Sequence, residues 1–141
     1  MLEIYNIQEA MTQSLEDYLE TISHLVAHQK VTRVKDIAES MKVSRPSVHI
    51  ALHELADRGL VIHERYGYIE LTREGEATAA EIIRKHTMYK QFLIEILGVP
   101  KEIAEKDACS MEHFLSPETE KRIKNYVRKF KKVATRESSN E

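Results

Sequence analysis

Residues 33–72 read RVKDIAESMKVSRPSVHIALHELADRGLVIHERYGYIELT, and the punctuation of this stretch implies two short helices followed by a hairpin. Val34, Ile37, Ala38 and Met41 recur at helical spacing, which predicts a short helix over about 33–42. Val43-Ser44-Arg45-Pro46-Ser47 then reads as a turn, with Ser44 as the cap of a further helix starting near Pro46, because proline is preorganised for a first helical turn. That helix carries Val48, Leu52 and Leu55 and stops at Gly59, a residue that tolerates the left-handed conformation of a helix end. Leu60–Glu64 and Tyr68–Thr72 are β-rich runs on either side of Arg65-Tyr66-Gly67, which predicts a hairpin.

Outward from this stretch the pattern is helical on both sides. Leu15, Tyr18, Leu19, Ile22, Leu25 and Val26 form one apolar stripe, so residues 14–29 read as an amphipathic helix, capped by Ser14 with Asp17 three residues on. From Thr72 the helical pattern runs without interruption to Leu97, with Ile82, Ile83, Phe92, Leu93, Ile96 and Leu97 as candidate core, and Gly98-Val99-Pro100 breaks it. Another helix covers about 101–114, and Ser116-Pro117-Glu118 opens a last one with a cap, a first-turn proline and an acid. Lys131–Glu141 is polar and predicts a frayed end.

Helix, helix, turn, helix and two-stranded wing in that order over residues 14–72 describe a winged helix-turn-helix. Ser44, Arg45, Pro46, Ser47 and His49, at the start of the third helix, are small or hydrogen-bonding, which suits a helix end entering the major groove of DNA. A three-helix core with a hairpin is also common in other small domains, and for the basic residues Lys42, Arg58 and Arg65 the alternative is a solvated charged surface. Residues 1–72 carry 7 Lys+Arg against 11 Asp+Glu and the remainder 14 against 12, so a DNA contact needs a local positive cluster. Arg65 at the wing tip, with Lys42 and Arg58 nearby, is the candidate for touching phosphates.

Composition narrows the class further. With 141 residues, 42% hydrophobic and 31% charged, the chain suits one ordinary globular domain or two very small ones. No apolar run approaches the roughly 20 residues of a membrane-spanning helix. Met1–Ala10 holds two acids and no basic residue, unlike a secretory signal, so the cytoplasm is the expected location. A single cysteine, Cys109, makes no internal disulfide and is either a buried thiol or a chemically employed one.

Cys109, Glu112 and His113 stand at i, i+3 and i+4, which puts a thiol, a carboxylate and an imidazole on one helix face. Such a set offers ligands to a transition metal, although a buried Cys beside a surface Glu-His pair has the same spacing. Asp17 and Glu20 are an i, i+3 acid pair, and His86 lies midway along the long helix.

Taken together, Ser14-Leu-Glu-Asp-Tyr-Leu-Glu20, Asp36-Ile-Ala-Glu39, Val43-Ser-Arg-Pro-Ser-Val48, Gly59-Leu-Val61, Leu71-Thr72, Arg84-Lys-His86 and Cys109-Ser-Met-Glu-His-Phe-Leu-Ser116 resemble the metal-dependent repressors of the diphtheria toxin repressor family, closest to the short manganese transport regulator branch. The resemblance covers nearly the whole chain. It implies a mainly α protein: an N-terminal winged helix-turn-helix DNA-binding domain (1–72), then an all-helical metal-binding and dimerisation domain (73–141). The longer iron-type members add an SH3-like domain, for which this chain is too short. Carried over by position, the ligands fall on Asp17, Glu20, His86, Cys109, Glu112 and His113. A primary site would use Asp17, Cys109, Glu112 and His113; a second ion would use Glu20, His86, Glu112 and the Cys109 carbonyl.

The chain also departs from both branches. The manganese type has glutamate at the position of Cys109, and the iron type has methionine at the position of Asp17. The iron type's ancillary ligands, an acid and a histidine, fall on Lys90 and Glu105, which do not match that version of the second site. Oxygen ligands suit Mn²⁺ and a thiolate draws toward Fe²⁺, with Zn²⁺ or Co²⁺ as surrogates, so one or two Fe²⁺ or Mn²⁺ ions per subunit are implied. The implied function is a repressor of metal-uptake genes that binds palindromic operator DNA as a homodimer when metal-loaded. Two other readings exist: a winged-helix regulator sensing a small organic ligand, and an enzyme with Cys109 as nucleophile and His113 as base. The enzyme reading lacks a Gly-rich oxyanion loop and leaves the carboxylates unused.

Overall fold

The computed structural model describes residues 11–64 and 67–140, without the side chain of His113. Among these residues, six α-helices and a two-stranded sheet follow one another as α1 (Gln13–His28), α2 (Val34–Met41), α3 (Arg45–Asp57), β1 (Val61–His63), β2 (Ile69–Leu71), α4 (Arg73–Gln91), α5 (Lys101–Phe114) and α6 (Pro117–Ser138). The mainly α expectation holds, with the order of a winged helix-turn-helix in the first half. The chain forms two compact units that divide inside α4, one reaching Ile83 and the other running Arg84–Glu141.

The first unit is built on the apolar stripe of α1. Leu15, Leu19 and Ile22 pack with Ile37 of α2, Val48, Leu52 and Leu55 of α3, Val61 and Ile69 of the hairpin, and Ala79 and Ile82 of α4. The helix starts two residues earlier than Ser14 predicts: the Leu15 N–H donates to Thr12 Oγ1 at 3.2 Å. Either cap leaves the same stripe buried, so periodicity alone could not choose between them.

Local chemistry sets the α2–α3 turn. The Asp36 carboxylate accepts from the Arg33 N–H at 2.9 Å at the start of α2. At its end, Lys42 takes a left-handed conformation (φ 56°), and the Val43 N–H reaches back to the Ala38 carbonyl. Ser44 caps α3 as expected, its hydroxyl accepting from the Ser47 N–H at 3.3 Å. At the other end Gly59 has φ 74°; the Leu60 N–H bonds the Leu55 carbonyl and the Gly59 N–H the Ala56 carbonyl, the paired bonds of a Schellman closure.

β1 and β2 pair antiparallel in the register Val61↔Leu71, Ile62↔Glu70 and His63↔Ile69. A single bridge, Arg33↔Tyr68, adds the segment before α2 to the sheet, and the Arg33 guanidinium both donates to Tyr68 Oη at 3.3 Å and lies 5.1 Å from the ring centre. The hairpin hands over to α4 through Thr72, whose hydroxyl donates to the Gly59 carbonyl at 2.6 Å and accepts from the Gly75 N–H at 2.9 Å. Gly75 sits so close to Leu60 that a β-carbon there would meet the Leu60 carbonyl oxygen at 1.9 Å.

The expected uninterrupted helix to Leu97 is broken. α4 ends at Gln91, and Phe92–Ile96 is a π-helical turn, closed by the Leu97 N–H on the Phe92 carbonyl and followed by Gly98 at φ 69°. The wider turn shifts the apolar register, so Leu93 is buried while Leu97, expected in the core, is 58% exposed. In the second unit Tyr89, Leu93, Ala104 and Ala108 form a small core, against which Met88, Met111 and Ile123 pack. α6 opens on Ser116 and Pro117 as expected, but the frayed end from Lys131 is not observed. Lys, Arg and Ala favour helix without burial, and the Thr135 and Ser139 hydroxyls bond back to the Lys131 and Thr135 carbonyls.

Candidate metal centre and nucleic-acid interface

α5 places Cys109 and Glu112 one turn apart, and α4 brings His86 between them. His86 Nδ1 lies 3.5 Å from Cys109 Sγ and 3.2 Å from Glu112 Oε1. The thiol is therefore turned toward the imidazole, and sulfur, nitrogen and oxygen donors converge from residues up to 26 positions apart in sequence.

The Glu112 side chain is only 8% exposed, and its Oε1 has no hydrogen-bond partner among the described residues, although His86 Nδ1 lies 3.2 Å away. A buried carboxylate oxygen in that state is destabilising by about 1–3 kcal/mol unless something else satisfies it. An orphaned carboxylate beside a thiol and an imidazole is a donor set that fits a divalent transition metal. Among the described side chains, no three or more His, Cys, Asp or Glu are grouped so as to hold a metal ion. His113 follows Glu112 on α5, and its side chain lies outside the described residues.

Asp17 and Glu20 lie on α1, in the other compact unit, both half-buried. Lys90 and Glu105 are joined to each other, Nζ to Oε1 at 3.3 Å, so these two positions neutralise one another. Behind the centre, Tyr89 is 1% exposed, and burial, together with the Glu120 and Glu112 charges, pushes its hydroxyl up to about 12.

In the first unit, α3 exposes Arg45, Pro46, Ser47 and His49, while Val48, Ala51, Leu52 and Leu55 face the core. Ser44 and Ser47 are tied together, their hydroxyls 2.8 Å apart, so both serve the cap. Lys42 is exposed in the turn before α3. Arg58 pairs with Glu54 at 3.2 Å, which offsets the charge that the sequence suggested for phosphate contact. Arg65 lies outside the described residues. The His49 and His63 rings are 5.9 Å apart, joining α3 to the end of β1. One exposed residue escaped the sequence reading: Ile50 is 72% exposed on α3. Its signal was available, since Ile50 falls out of step with the Val48–Leu52–Leu55 stripe.

Residues 10–69 match the N-terminal DNA binding domain of the iron dependent repressors, and residues 72–137 match their metal binding and dimerisation domain. The chain belongs to the iron-dependent repressor family.

The relatives of this repressor agree. It is 35% identical over 122 residues to the uncharacterized HTH-type transcriptional regulator MJ0568 of Methanocaldococcus jannaschii, covering 86% of this chain and 98% of that one. It is 40% identical over 114 residues to the transcriptional regulator MntR of Escherichia coli O157:H7, covering 80% and 73%. Among solved structures, the manganese regulator SloR superposes with a TM-score of 0.72 at 30% identity, over 84% of this chain and 55% of SloR, so the repressor spans about half the length of that structure. These matches place it with the manganese-regulator branch. It is a metal-dependent transcriptional regulator and not an enzyme, which removes the nucleophile reading of Cys109 and the organic-ligand alternative. No helix among the described residues is long and apolar enough to cross a membrane.

Proposed function

We propose that this repressor, loaded with Fe²⁺ or Mn²⁺, binds palindromic operator DNA as a cytoplasmic homodimer and controls metal-uptake genes. One observation carries the metal half of this reading: the buried, unbonded Glu112 Oε1, 3.2 Å from His86, on the helix that also turns Cys109 toward that imidazole. His86, Cys109, Glu112 and His113 on the second unit, with Asp17 and Glu20 on α1, hold one or two ions, and Zn²⁺ or Co²⁺ act as surrogates. Ligation by Cys109 sulfur, rather than its carbonyl alone, is supported by the direction of the thiol. What the ion supplies is positive charge among carboxylates that otherwise repel. We take the functional division as 1–72 and 73–141, near the family matches at 10–69 and 72–137, while the compact units divide inside α4 between Ile83 and Arg84.

Leu97, Phe114, Tyr126 and Val133, each more than half exposed, support a second copy packing on the second unit. In a two-fold dimer the two α3 helices are held at a fixed spacing, as successive major grooves require. Arg45, Pro46, Ser47, His49 and Ile50 face the base edges, Ile50 offering apolar contact to a thymine methyl. Lys42, Ser44 and Arg65 meet phosphates. Metal and DNA then strengthen each other's binding reciprocally.

The test is anaerobic DNA binding, using duplexes selected from a random pool, against buffered free Mn²⁺, Fe²⁺ and Zn²⁺. Affinity should rise with Mn²⁺ or Fe²⁺ at sub-saturating levels, and selected sequences should carry two inverted half-sites. Equal DNA binding with and without every metal would overturn the reading.

A further inference from the structure

We propose that the cationic face of α6 is a second, sequence-independent contact for double-stranded DNA, apart from the reading head. The inference rests on the proposed DNA-binding function and says where the electrostatic attraction comes from.

Residues 121–136 hold eight Lys and Arg and no acid. The turn of about 100° per residue in an α-helix puts all of them on one half of α6. Ile123, Tyr126, Val127, Phe130 and Val133 fall on the other half. That apolar half has its own occupants: Val127 is buried, Ile123 packs against the second core, and the exposed Tyr126, Phe130 and Val133 suit the partner copy. The cationic half is left turned away, and all eight of its residues are exposed.

An ordinary solvated helix interleaves acids with its bases, so that i, i+4 pairs neutralise it. In the first turns of α6, Arg122 Nε makes such a pair with Glu118 at 2.9 Å, and Glu120 is neutralised from outside by Lys85 of α4 at 3.5 Å. Beyond Arg122 the interleaving stops. Lys124, Arg128, Lys131, Lys132 and Arg136 have no ion pair with any described residue, and like charges one turn apart repel.

A DNA-binding domain with 7 basic against 11 acidic residues lacks the positive charge that phosphate neutralisation requires. The cationic face supplies it. From Lys121 to Arg136 it extends about 22 Å along the helix axis. That matches about six phosphates of one strand at about 3.4 Å per step. The side chains are long and flexible and carry no planar base-reading geometry beyond their charge, so the contact is to the backbone.

The experiment uses the full-length Mn²⁺-loaded protein, a random-sequence duplex and fluorescence anisotropy from about 50 to 200 mM salt. Parent protein is compared with the K124Q/R128Q/K131Q/K132Q variant, in which glutamine keeps helix propensity. A second variant, K101Q/K106Q, removes exposed cations from α5 instead. The expected result is a log-affinity against log-salt slope shallower by about 2 to 4 in the α6 variant, at about 0.9 for each phosphate no longer neutralised, and unchanged in the α5 variant. Preference among selected sequences should survive in both. Equal slopes for parent and α6 variant overturn the inference while leaving the DNA-binding function standing. So does a loss of binding to phosphatidylglycerol vesicles with no change of DNA slope, which would make α6 a membrane contact. Parent protein that binds no duplex at all overturns both.

Discussion

Replacing Glu112 by glutamine separates the cost of the metal centre from its use. The Glu112 side chain is 8% exposed with an unbonded Oε1, and the substitution keeps its shape while removing the charge. An unsatisfied buried polar group costs about 1–3 kcal/mol, more when charged. Part of that cost is offset by the 3.2 Å approach to His86, so metal-free Glu112→Gln should be more stable than the parent by about 1 kcal/mol. For a chain of this size that is a rise in midpoint of about 2–4 °C. Metal should reverse the order. Saturating Mn²⁺ at about 100 times its dissociation constant stabilises the parent by about 2.7 kcal/mol, and the variant should gain little of it. Scanning calorimetry with a chelator and then with Mn²⁺ reads both numbers. A metal-free variant less stable than the parent would refute the orphan-carboxylate argument. A variant that keeps the parent's Mn²⁺ shift would remove Glu112 from the ligand set.

Cys109→Glu exchanges a soft ligand for a hard one at the same charge, so calorimetric titration should show preference moving from Fe²⁺ and Zn²⁺ toward Mn²⁺; an unchanged ranking would mean that the sulfur is not a ligand. Arg45→Ala should weaken operator binding by about 1–3 kcal/mol and relax one position, and Ile50→Ala should relax preference for thymine, both read by selection from a randomised duplex. Gly75→Ala should destabilise the first unit by about 1–3 kcal/mol in urea unfolding, since its β-carbon meets the Leu60 carbonyl oxygen at 1.9 Å. Tyr89 has its hydroxyl raised to about 12, so the fold favours the neutral phenol; that contribution is whole below the ordinary value near 10 and is lost as pH rises through 12. Metal-free Tyr89→Phe should therefore lose less stability than the parent between those limits.

Many helix ends and the hairpin were legible because their signals are local. Ser44 ahead of Pro46, Gly59 after Leu55, and Ser116 ahead of Pro117 fix helix ends through hydrogen bonds spanning three to five residues. The hairpin was legible for the same reason, as two short β-rich runs around a glycine. Cys109 and Glu112 share a face by helical geometry alone, and His86, Asp17 and Glu20 were named as ligands through the family resemblance. Ile50 could have been read from its position off the apolar stripe.

Other features were decided by packing. Thr12 and Ser14 are both good caps, and the backbone's choice between them leaves no trace in periodicity. The π-helical turn at Phe92–Ile96 shifts the core register through an i to i+5 bond, which no apolar spacing announces. Lys90 and Glu105, 15 positions apart, become partners only because α4 and α5 lie together. The same packing brings His86 against Cys109 and leaves a Glu112 oxygen buried and unbonded. Sequence determined the kinds of ligand and the helices that carry them, because helix geometry is set by neighbours along the chain. Tertiary structure decided which donors converge and which charge goes unsatisfied, because burial and long-range contact depend on how helices meet in space.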